Sequence, residues 1–479
     1  MGKQTTRHQS RHSQAFNEVS DLQRHISGTV ITAGDSGYDE ARRVWNGMID
    51  RHPVAVVRAA VAADIGPVVH FARTRGLPLA VRGGGHNVAG NSTVDGGLVL
   101  DLGRLTAVEV NERTHTVRAQ PGATLADLDR VTEPYGLAVP VGVVSGTGLA
   151  GLTLGGGVGW LTRAHGLTVD NLVAAELVTS AGETVTASDS ENAELLWGLR
   201  GGGGNFGVVS TFTFQAHPLP AEVLSGNLVY GRDRWTEALR AFAAWTHDLP
   251  DELTTIISFM VPPPGWNLGD DPLMMLGFAW ASADLTAGYE VVDRLRRAAP
   301  PDAEAVGPAR WPVWQSAADE LFPQGVRGYW KNTSFDRLDD DVIQVITRRA
   351  AEQTWRGTGF DIHHMGGALA RVDEDATPFP NRAARFWLNI YGFWPDAADD
   401  AARIAFVRGF AAEMEPVASG GQYVNFLGAE PDLDQAAAAL AVFGPAKLER
   451  LSALKRTWDP DNVFRLNHKI PPTIPRAFR

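Results

Sequence analysis

The chain has 479 residues, of which 44% are hydrophobic and 20% charged, and its formal net charge is -12. This length exceeds what one hydrophobic core accommodates, so two or three folded units are expected. The negative charge argues against a nucleic acid as partner, because phosphate binding needs clustered positive charge. The chain contains no cysteine, which excludes disulfides, zinc thiolate sites, iron–sulfur clusters and cysteine nucleophiles.

The N-terminal residues 1–14 are polar and basic, and they lack the apolar core of a secretory signal. No run of about 18 apolar residues occurs in the sequence, so neither a membrane-spanning helix nor a membrane partner is predicted. Together these features predict a cytoplasmic protein.

Strands and helices follow one another irregularly in the first half of the chain. Residues 1–36 are predicted to form a tail that runs into a short helix. The hydrophobic pattern then predicts strands at 54–57, 77–81, 98–102, 107–110, 116–119, 172–179, 183–187 and 208–215, and helices at 63–75, 125–132 and 193–198. This mixed order is typical of an α+β domain rather than a doubly wound sheet.

The composition changes near Pro218–Pro220, which marks the predicted domain boundary. Beyond it, strands alternate with amphipathic helices such as 234–245 and 287–297, which predicts a second α+β domain with an antiparallel sheet. Two further helices are predicted at 433–443 and 447–458, before an extended, proline-rich end.

The segment VRGGGHNVAG, at Val81–Gly90, carries the strongest chemical signal. A strand leads into a glycine turn whose successive backbone N–H groups form a nest suited to a diphosphate. Glycine is needed because side chains would block the phosphate oxygens. His86 stands at the end of this nest, and the alternative interpretation is a tight turn with a solvated histidine.

Two more glycine-rich stretches follow at 142–171 and 194–209. In the first, apolar residues interleave with the glycines, which favours an ordered loop over a flat ligand rather than a flexible loop. In the second, Gly202, Gly204 and Gly207 match the GxGxxG dinucleotide pattern. Because a helix precedes these glycines and a strand follows them, the context is the reverse of a Rossmann site.

Other reaction classes find little support. The adjacent His363 and His364 would point to opposite faces of a strand, and no HExxH motif occurs, so no metal site is predicted. No GxSxG elbow is present, which argues against an α/β-hydrolase.

Taken together, the motifs resemble the berberine bridge enzyme-like oxidoreductases of the vanillyl-alcohol oxidase superfamily. The resemblance covers nearly the whole chain in eight ordered segments. They are YDEARRVWN at 38–46, the three glycine segments, HHMGGALARV at 363–372, TPFPNR at 377–382, YVNFLG at 423–428 and WDPDNVFRLNHKIPP at 458–472.

This resemblance implies an FAD-binding domain of the PCMH type at 37–220, an inserted substrate domain at 221–420 and a C-terminal segment, 421–479, that returns to the first domain. The substrate domain would cover the flavin with an antiparallel sheet. The histidine of RGGGH is the family's flavin-linking residue, which falls on His86. Its imidazole would bond the 8α-methyl carbon of the flavin ring.

One position departs from many family members, which carry a second flavin link through a cysteine in a GVC segment. Here Val144 occupies that position, so FAD with a single covalent link is expected. Because doubly linked members often have open oligosaccharide sites, this departure makes a large sugar a weaker candidate for the substrate.

The same resemblance implies the residues that contact the cofactor. They are Arg82, Gly83, Gly84, Gly85, His86, Asn87, Gly90, Val144, Ser145, Gly148, Gly151, Gly155, Gly156, Gly157, Gly159, Trp160, Asn171, Val209, Tyr423, Asn425 and Asn467.

The catalytic base expected from the family's YxN segment is Tyr423. A tyrosine with a pKa of about 10 needs help to ionise, and the candidates for that help are Lys331, Asp361 and Tyr391. On the predicted strand 386–394, one face carries Trp387, Asn389, Tyr391 and Phe393. This face is expected to look onto the flavin, and the alternative is a sheet surface in solvent.

The expected reaction is oxidation of a small organic substrate by hydride transfer to the flavin, with O2 as the electron acceptor. Two alternatives remain from the sequence: a dehydrogenase of the same fold that uses another acceptor, and a flavin-binding protein without catalysis. The sequence does not distinguish sugars, alkaloids, phenols, polyketides or aromatic alcohols as substrates.

Overall fold

The structure, a computed structural model, describes residues 19–430, 434–467 and 470–473. The polar residues 1–18, the first residue of the helix predicted at 433–443, and His468 and Lys469 of the last motif lie outside this part. Within it, three β-sheets and their helices form separate hydrophobic cores.

The first sheet has four strands: β1 (Thr29–Thr32), β2 (Ala55–Arg58), β3 (Leu79–Arg82) and β4 (Leu98–Asp101). Their spatial order is β1-β2-β4-β3. Strands β2, β4 and β3 pair in parallel, because a helix, Ile65–Arg75, connects β2 to β3. The helix buries its residues at helical spacing against the sheet and ends at Gly76, whose φ is 63°.

Residues 19–36 contain the predicted short helix, which ends at His25, but they do not form a tail, and this part of the prediction is wrong. Strand β1 pairs antiparallel with β2 from Thr29 opposite Arg58 to Thr32 opposite Ala55. Val19 and Leu22 are buried in the core of the first sheet. The four residues of β1 are too few to show a periodic pattern in the sequence. The strand forms because these residues pair with the free edge of β2.

The second sheet lies in the next part of the chain. Its strands are β5 (Val108–Asn111), β6 (Thr116–Ala119), β8 (Leu172–Val178), β9 (Thr184–Ser188) and β10 (Val208–Gln215), while β7 (Leu137–Ala138) pairs separately with β11 (His217–Pro218). The order β5-β6-β10-β8-β9 is antiparallel throughout.

The helices of this half are short. In chain order they are α1 (Tyr38–Arg42), α2 (Ile65–Arg75), α3 (Leu125–Thr132), α4 (Leu149–Gly155), α5 (Thr162–His165) and α6 (Ala193–Leu199). Helix α3 begins at the predicted residue because Thr124 and Asp127 form a reciprocal capping box. Helix α6 precedes the glycines of 201–207 and β10 follows them, as the argument against a Rossmann site requires.

The third sheet has seven antiparallel strands. They are β12 (Glu222–Tyr230), β13 (Leu253–Met260), β14 (Leu273–Trp280), β15 (Ala303–Arg310), β16 (Arg327–Phe335), β17 (Thr358–His364) and β18 (Phe386–Trp394), in the order β15-β12-β14-β13-β17-β18-β16. Only β2, β3 and β4 pair in parallel among the described strands, which confirms the α+β class with an antiparallel sheet.

The helices beyond β12 are α7 (Trp235–Trp245), α8 (Leu285–Ala298), α9 (Trp311–Gln315), α10 (Asp340–Glu352), α11 (Ala368–Arg371), α12 (Asp400–Met414) and α13 (Gln435–Trp458). Helices α7, α8, α10 and α12 cover one face of the third sheet and share its core. The opposite face therefore stays available for other contacts. Among the described residues, no helix has the length and apolar character needed to cross a membrane.

Helix α13 joins the two predicted helices and bends between them, where Gly444 has a φ of 69° and Pro445 follows. It packs into the core of the second sheet, where Phe443, Leu448 and Leu451 meet the residues of α6. The C-terminal part of the chain thus returns to the first half.

A buried lysine anchors the C-terminal part of the chain to the first half. Lys455 Nζ donates to Asp459 Oδ2 at 2.6 Å, to the carbonyl of Asn205 at 2.8 Å and to the carbonyl of Phe464 at 2.9 Å. Lys455 and Asp459 are both fully buried. Each of the three N–H groups of the ammonium group has an acceptor. The Lys455 side chain therefore connects α13 to the turn at Asn205 and to the C-terminal residue Phe464.

We expect Lys455→Ala to destabilise the protein by about 3–5 kcal/mol, because it leaves the Asp459 carboxylate buried without a cation. The free energy of unfolding in urea measures this loss. The neighbouring exposed Arg456→Ala is the matched control and should change stability by less than about 0.5 kcal/mol. Equal effects of the two substitutions would contradict this account.

Candidate active site

A cavity of about 240 Å³ lies between the glycine turns of the first half and the free face of the third sheet. Most of its wall comes from four parts of the chain: the turn after β3, the stretch 142–155, the turn 203–209, and residues 423–426 with β17 and β18. Because these parts are far apart in sequence, the cavity exists only in the folded chain.

The RGGGH turn begins where β3 ends. Arg82 itself is buried and points away, with its guanidinium donating to Asp101 at 2.8 Å and to the carbonyl of Ala41 at 2.6 Å. A Cβ on Gly84 would lie 2.5 Å from the Cα of Gly148 at the start of α4. The two glycine segments therefore meet backbone against backbone, which no other residue type permits.

His86 stands at the edge of this turn, partly exposed, and lines the cavity. Its ring stacks on that of Trp45, with 4.7 Å between the centroids and 24° between the planes. Burial lowers the pKa of the imidazole to about 4. His86 is consequently neutral near pH 7, and one ring nitrogen keeps a free lone pair.

The stretch 142–171, predicted as an ordered loop, contains the helices α4 and α5. A Cβ on Gly151 would meet nothing within 4 Å, whereas one on Gly155 would lie 2.5 Å from the amide nitrogen of Asn425. One glycine thus leaves space in the cavity wall, and the other allows the C-terminal segment to approach.

The third sheet presents the predicted face to the site. On β18, Trp387, Tyr391 and Phe393 lie in clusters beside the cavity and Asn389 lines it, while Phe386, Leu388, Ile390 and Trp394 lie in the core on the other side. All nine residues of β18 are buried. The alternative of a solvent-facing sheet surface is therefore wrong.

Asp361 of β17 and Tyr391 of β18 form a buried pair on this face. The Tyr391 hydroxyl donates to Asp361 Oδ1 at 3.1 Å. Burial raises the pKa of the Asp361 carboxyl to about 6, and burial together with the neighbouring carboxylate raises the pKa of Tyr391 well above its usual value. At neutral pH the pair holds a carboxylate next to a phenol.

Tyr423 lies on the same cavity with different partners. Its hydroxyl oxygen accepts hydrogen bonds from the Gly157 N–H at 2.8 Å and from Asn425 Nδ2 at 2.9 Å. Burial raises its pKa to about 12. Lys331, the cation suggested as its helper, instead pairs with Glu430 at 2.6 Å. That suggestion is wrong, because Glu430 holds the lysine.

Thirteen of the predicted cofactor residues line the cavity. They are Gly83, Gly84, Gly85, His86, Asn87, Val144, Gly148, Gly151, Gly155, Val209, Tyr423, Asn425 and Asn467.

The other eight do not line it: Arg82, Gly90, Ser145, Gly156, Gly157, Gly159, Trp160 and Asn171. Each has a role in packing or hydrogen bonding instead. Ser145 hydrogen-bonds Asp319 through its N–H at 2.7 Å, and Asn171 donates to two backbone carbonyls. Gly90, Gly156 and Gly157 adopt positive φ, and a Cβ on Gly159 would collide with the Val141 carbonyl.

Several lining residues were absent from the predicted set, among them Val88, Asn91, Ser92, Thr147 and Gly203. Asn91 and Ser92 directly follow the segment Val81–Gly90, so their small polar side chains were the signal that could have identified them. The others carry no local signal of a binding site.

A second cavity, of about 360 Å³, lies beyond the first. It is lined mainly by strands of the third sheet and by the segment 314–322. The two cavities share Val143, Phe322 and Asp361. Trp160, predicted to contact the cofactor, lines this second cavity, where its ring lies 5.1 Å from that of Trp314.

Comparison with known proteins identifies this architecture. Residues 53–188 match the family described as FAD binding domain, and residues 422–471 match the family described as berberine and berberine like. The chain therefore contains an FAD-binding domain and a berberine-like segment, and its relatives are named FAD-linked oxidoreductases. These two matched segments contain the RGGGH turn and the YVN segment, respectively.

Three proteins show what this chain is similar to. The (R)-6-hydroxynicotine oxidase of Paenarthrobacter nicotinovorans is 28% identical, over 93% of this chain and 97% of its own. The crystal structure of 6-hydroxy-D-nicotine oxidase from Arthrobacter nicotinovorans is 27% identical with a TM-score of 0.83, covering 94% of this chain and 98% of its own. A glucooligosaccharide oxidase of Acremonium strictum shares the fold, at 23% identity and a TM-score of 0.84, over 96% and 99% of the chains.

The residues that line the cavity fit FAD. Three buried polar atoms in the cavity wall have no hydrogen-bond partner within the described protein: Ser92 Oγ, Trp330 Nε1 and Asn389 Oδ1. A bound ligand with its own donors and acceptors would satisfy them. Among the described residues, no cluster of side chains suits a metal ion.

We expect Gly148→Ala to destabilise the protein by about 3 kcal/mol, because the new Cβ collides with the backbone at Gly84. Flavin binding should fall as well, since the collision separates two walls of the cavity. The urea unfolding midpoint and the ratio of flavin to protein absorbance measure both effects. Gly146→Ala is the matched control, because a Cβ there meets nothing within 4 Å. An intact flavin content in Gly148→Ala would refute this description of the wall.

Proposed function

We propose that this oxidoreductase holds FAD through one covalent bond to His86 and oxidises a small organic substrate, with O2 as the electron acceptor. The observation that carries the proposal is that one cavity is lined by both His86 and Asp361, and that Asp361 is hydrogen-bonded to Tyr391. His86 and the glycine turns would hold FAD, which when bound would supply a hydride acceptor for the substrate and a two-electron donor to O2, with two protons completing hydrogen peroxide.

The state of His86 supports the covalent bond. A neutral imidazole has the free lone pair that bond formation to the 8α carbon needs, and burial keeps the imidazole neutral by lowering its pKa to about 4. Stacking on Trp45 fixes the plane of the ring. Because the chain contains no cysteine and Val144 stands in the cavity wall, a second link through sulfur is excluded.

The packing of the chain supports separate parts for binding FAD and for binding the substrate. Residues 37–220 and 421–479 would hold FAD, since α13 packs into the core of the second sheet. Residues 221–420 would hold the substrate, since the free face of their antiparallel sheet bounds the cavity.

We propose the Asp361–Tyr391 pair as the proton acceptor. Asp361, with a pKa of about 6, is largely ionised near pH 7. Tyr423 was the first candidate in the sequence, but its pKa of about 12 and its lack of a contact with Lys331 or Asp361 keep it protonated. We therefore propose that Tyr423 orients Gly157 and Asn425 by accepting their hydrogen bonds. Its own hydroxyl proton can then donate into the cavity.

The covalent bond predicts that flavin stays on the polypeptide after acid denaturation. A fluorescent band should appear on a denaturing gel for the unmodified protein and vanish for His86→Ala. The exposed His70→Ala is the control and should keep the band. Proteolysis should yield one flavin-bearing peptide, the one that contains His86. Release of all flavin from the unmodified protein into the acid supernatant would contradict the proposal.

The proton acceptor predicts that Asp361→Asn lowers the rate of flavin reduction by about 10²- to 10⁴-fold. Tyr423→Phe should lower it less than about tenfold. In the unmodified enzyme the rate should fall as the pH drops through about 6, because protonation removes the acceptor. Anaerobic stopped-flow absorbance near the flavin maximum measures these rates, with a substrate found by screening for flavin bleaching. If Tyr423→Phe lowers the rate of flavin reduction more than Asp361→Asn does, Tyr423 is the base instead.

Oxygen use separates the proposed oxidase from a dehydrogenase of the same fold. Peroxide formation in air at the rate of substrate oxidation supports the oxidase. Rapid bleaching that air reverses only slowly indicates another acceptor, and the absence of bleaching with every candidate substrate indicates binding without catalysis.

A further inference from the structure

One short segment connects the RGGGH turn to the part of the chain proposed to bind the substrate. The segment is 45–47, shortly after α1, and it contacts the turn on one side and residues 322–328 on the other. Because residues 322–328 are far away in sequence, these contacts form only when the two parts of the chain pack together. The segment is therefore a place where packing in one part can control chemistry in the other.

On the side of the turn, the segment holds the chain before and after His86. The Trp45 N–H donates to the carbonyl of Gly85 at 3.1 Å, and the Asn46 side chain donates to the carbonyl of Val88 at 2.8 Å. The Trp45 ring lies against the His86 ring, with 4.7 Å between the centroids and 24° between the planes. Backbone and ring contacts together fix the position of His86 and the plane of its ring.

On the other side, the same residues are hydrogen-bonded to the chain around the start of β16. The indole N–H of Trp45 donates to the carbonyl of Phe322 at 3.3 Å, and the Trp45 carbonyl accepts from the Gly325 N–H at 2.9 Å. The Asn46 side chain donates to the carbonyl of Gly328 at 2.8 Å and accepts from its N–H at 3.0 Å. One buried amide group thus binds both the turn and the start of β16.

Residues of the third sheet pack around the Trp45 ring. Its centroid lies 5.7 Å from that of Trp330 on β16 and 5.5 Å from that of Phe393 on β18. Trp45 is 4% exposed, so its ring cannot turn without moving these neighbours. The third sheet therefore sets the orientation of the ring on which His86 stacks.

We propose that Trp45 is the positioning residue for covalent attachment of the flavin, and that residues 322–328 must dock against it before the bond forms. This inference rests on the proposed function, because it concerns the bond to His86. Attachment is then the last step of maturation, and FAD becomes linked only to a protein whose substrate-binding part is in place.

The atoms of the attachment step show why the direction of the His86 ring matters. A ring nitrogen uses its lone pair to form a bond to the 8α carbon, and one C–H bond of that methyl group breaks. The imidazole and the methyl group each lose one proton. Two electrons pass to the flavin ring and then to O2, which takes up both protons as hydrogen peroxide. The lone pair must point at the methyl carbon, and a displacement of about 1 Å is enough to slow such a step about 100-fold.

The rate of attachment in variants of Trp45 tests its role. Full-length protein produced under riboflavin limitation, and so largely free of flavin, is incubated with FAD in air. Samples are denatured in acid at intervals, and covalent and released flavin are measured separately. We expect Trp45→Leu to bind FAD but to form the covalent bond about 10- to 100-fold more slowly. Trp45→Phe keeps a stacking ring and should stay within about threefold of the unmodified rate.

The matched control for Trp45 is Trp245→Leu. Trp245 is also a partly or fully buried tryptophan whose N–H donates to a carbonyl, that of Val291, but it packs on α7 away from the cavity. Its substitution should leave the rate of attachment unchanged. Total bound flavin and the unfolding midpoint report whether each variant is folded.

A pair of glycines tests the contribution of residues 322–328 without changing the cavity. Gly47 lies outside the lining of both cavities, and a Cβ there would collide with the Gly325 carbonyl. Gly47→Ala should therefore push the segment 45–47 away from its partner and slow attachment about tenfold or more. Gly34→Ala is the control, because a Cβ there meets nothing within 4 Å.

Attachment at the unmodified rate in Trp45→Leu would overturn the role of Trp45, and the same result in Gly47→Ala would overturn the role of residues 322–328. Loss of all FAD binding from both Trp45 variants would also overturn the proposal, because Trp45 would then shape the cavity rather than orient His86. If the unmodified protein forms no covalent bond, the proposed function fails first, and this inference with it.

Discussion

The contact between Gly84 and Gly148 is the constraint on which the site depends. A Cβ on Gly84 would lie 2.5 Å from the Cα of Gly148, so both positions must be glycine. The contact joins the turn after β3 to the start of α4, and with them the first sheet to the glycine stretch. The walls that carry His86 and Gly151 owe their relative position to this approach of two backbones.

The third sheet supplies the other half of the site because its two faces differ. Alternation along β18 sends one set of side chains into a core of helices and sheet and leaves the other facing the cavity. The second face holds the buried carboxylate of Asp361, whose desolvation is offset only by hydroxyl groups. A protein that stores such an unpaired charge is set to receive a proton or a cation there.

The C-terminal segment completes the site from a distance of hundreds of residues. Lys455 anchors it through three hydrogen bonds inside the core. In the same C-terminal segment, Tyr423 accepts a hydrogen bond from the Gly157 N–H, and the Asn425 side chain donates to the Leu152 carbonyl at 3.1 Å. Binding, orientation and proton transfer thus depend on segments from both ends of the chain meeting at one cavity.

The sequence by itself determined the features that depend on local patterns. The strands at 116–119 and 208–215 and the helix at 125–132 have the predicted bounds, because alternation and capping act over a few residues. The RGGGH and YVN segments, read as a family resemblance, also led to His86 and Tyr423. Strand β1 could be found only in the tertiary structure, because its four residues form a strand by pairing with the edge of β2. It alone paired Asp361 with Tyr391, because a hydrogen bond between neighbouring strands depends on their register, which no local pattern records.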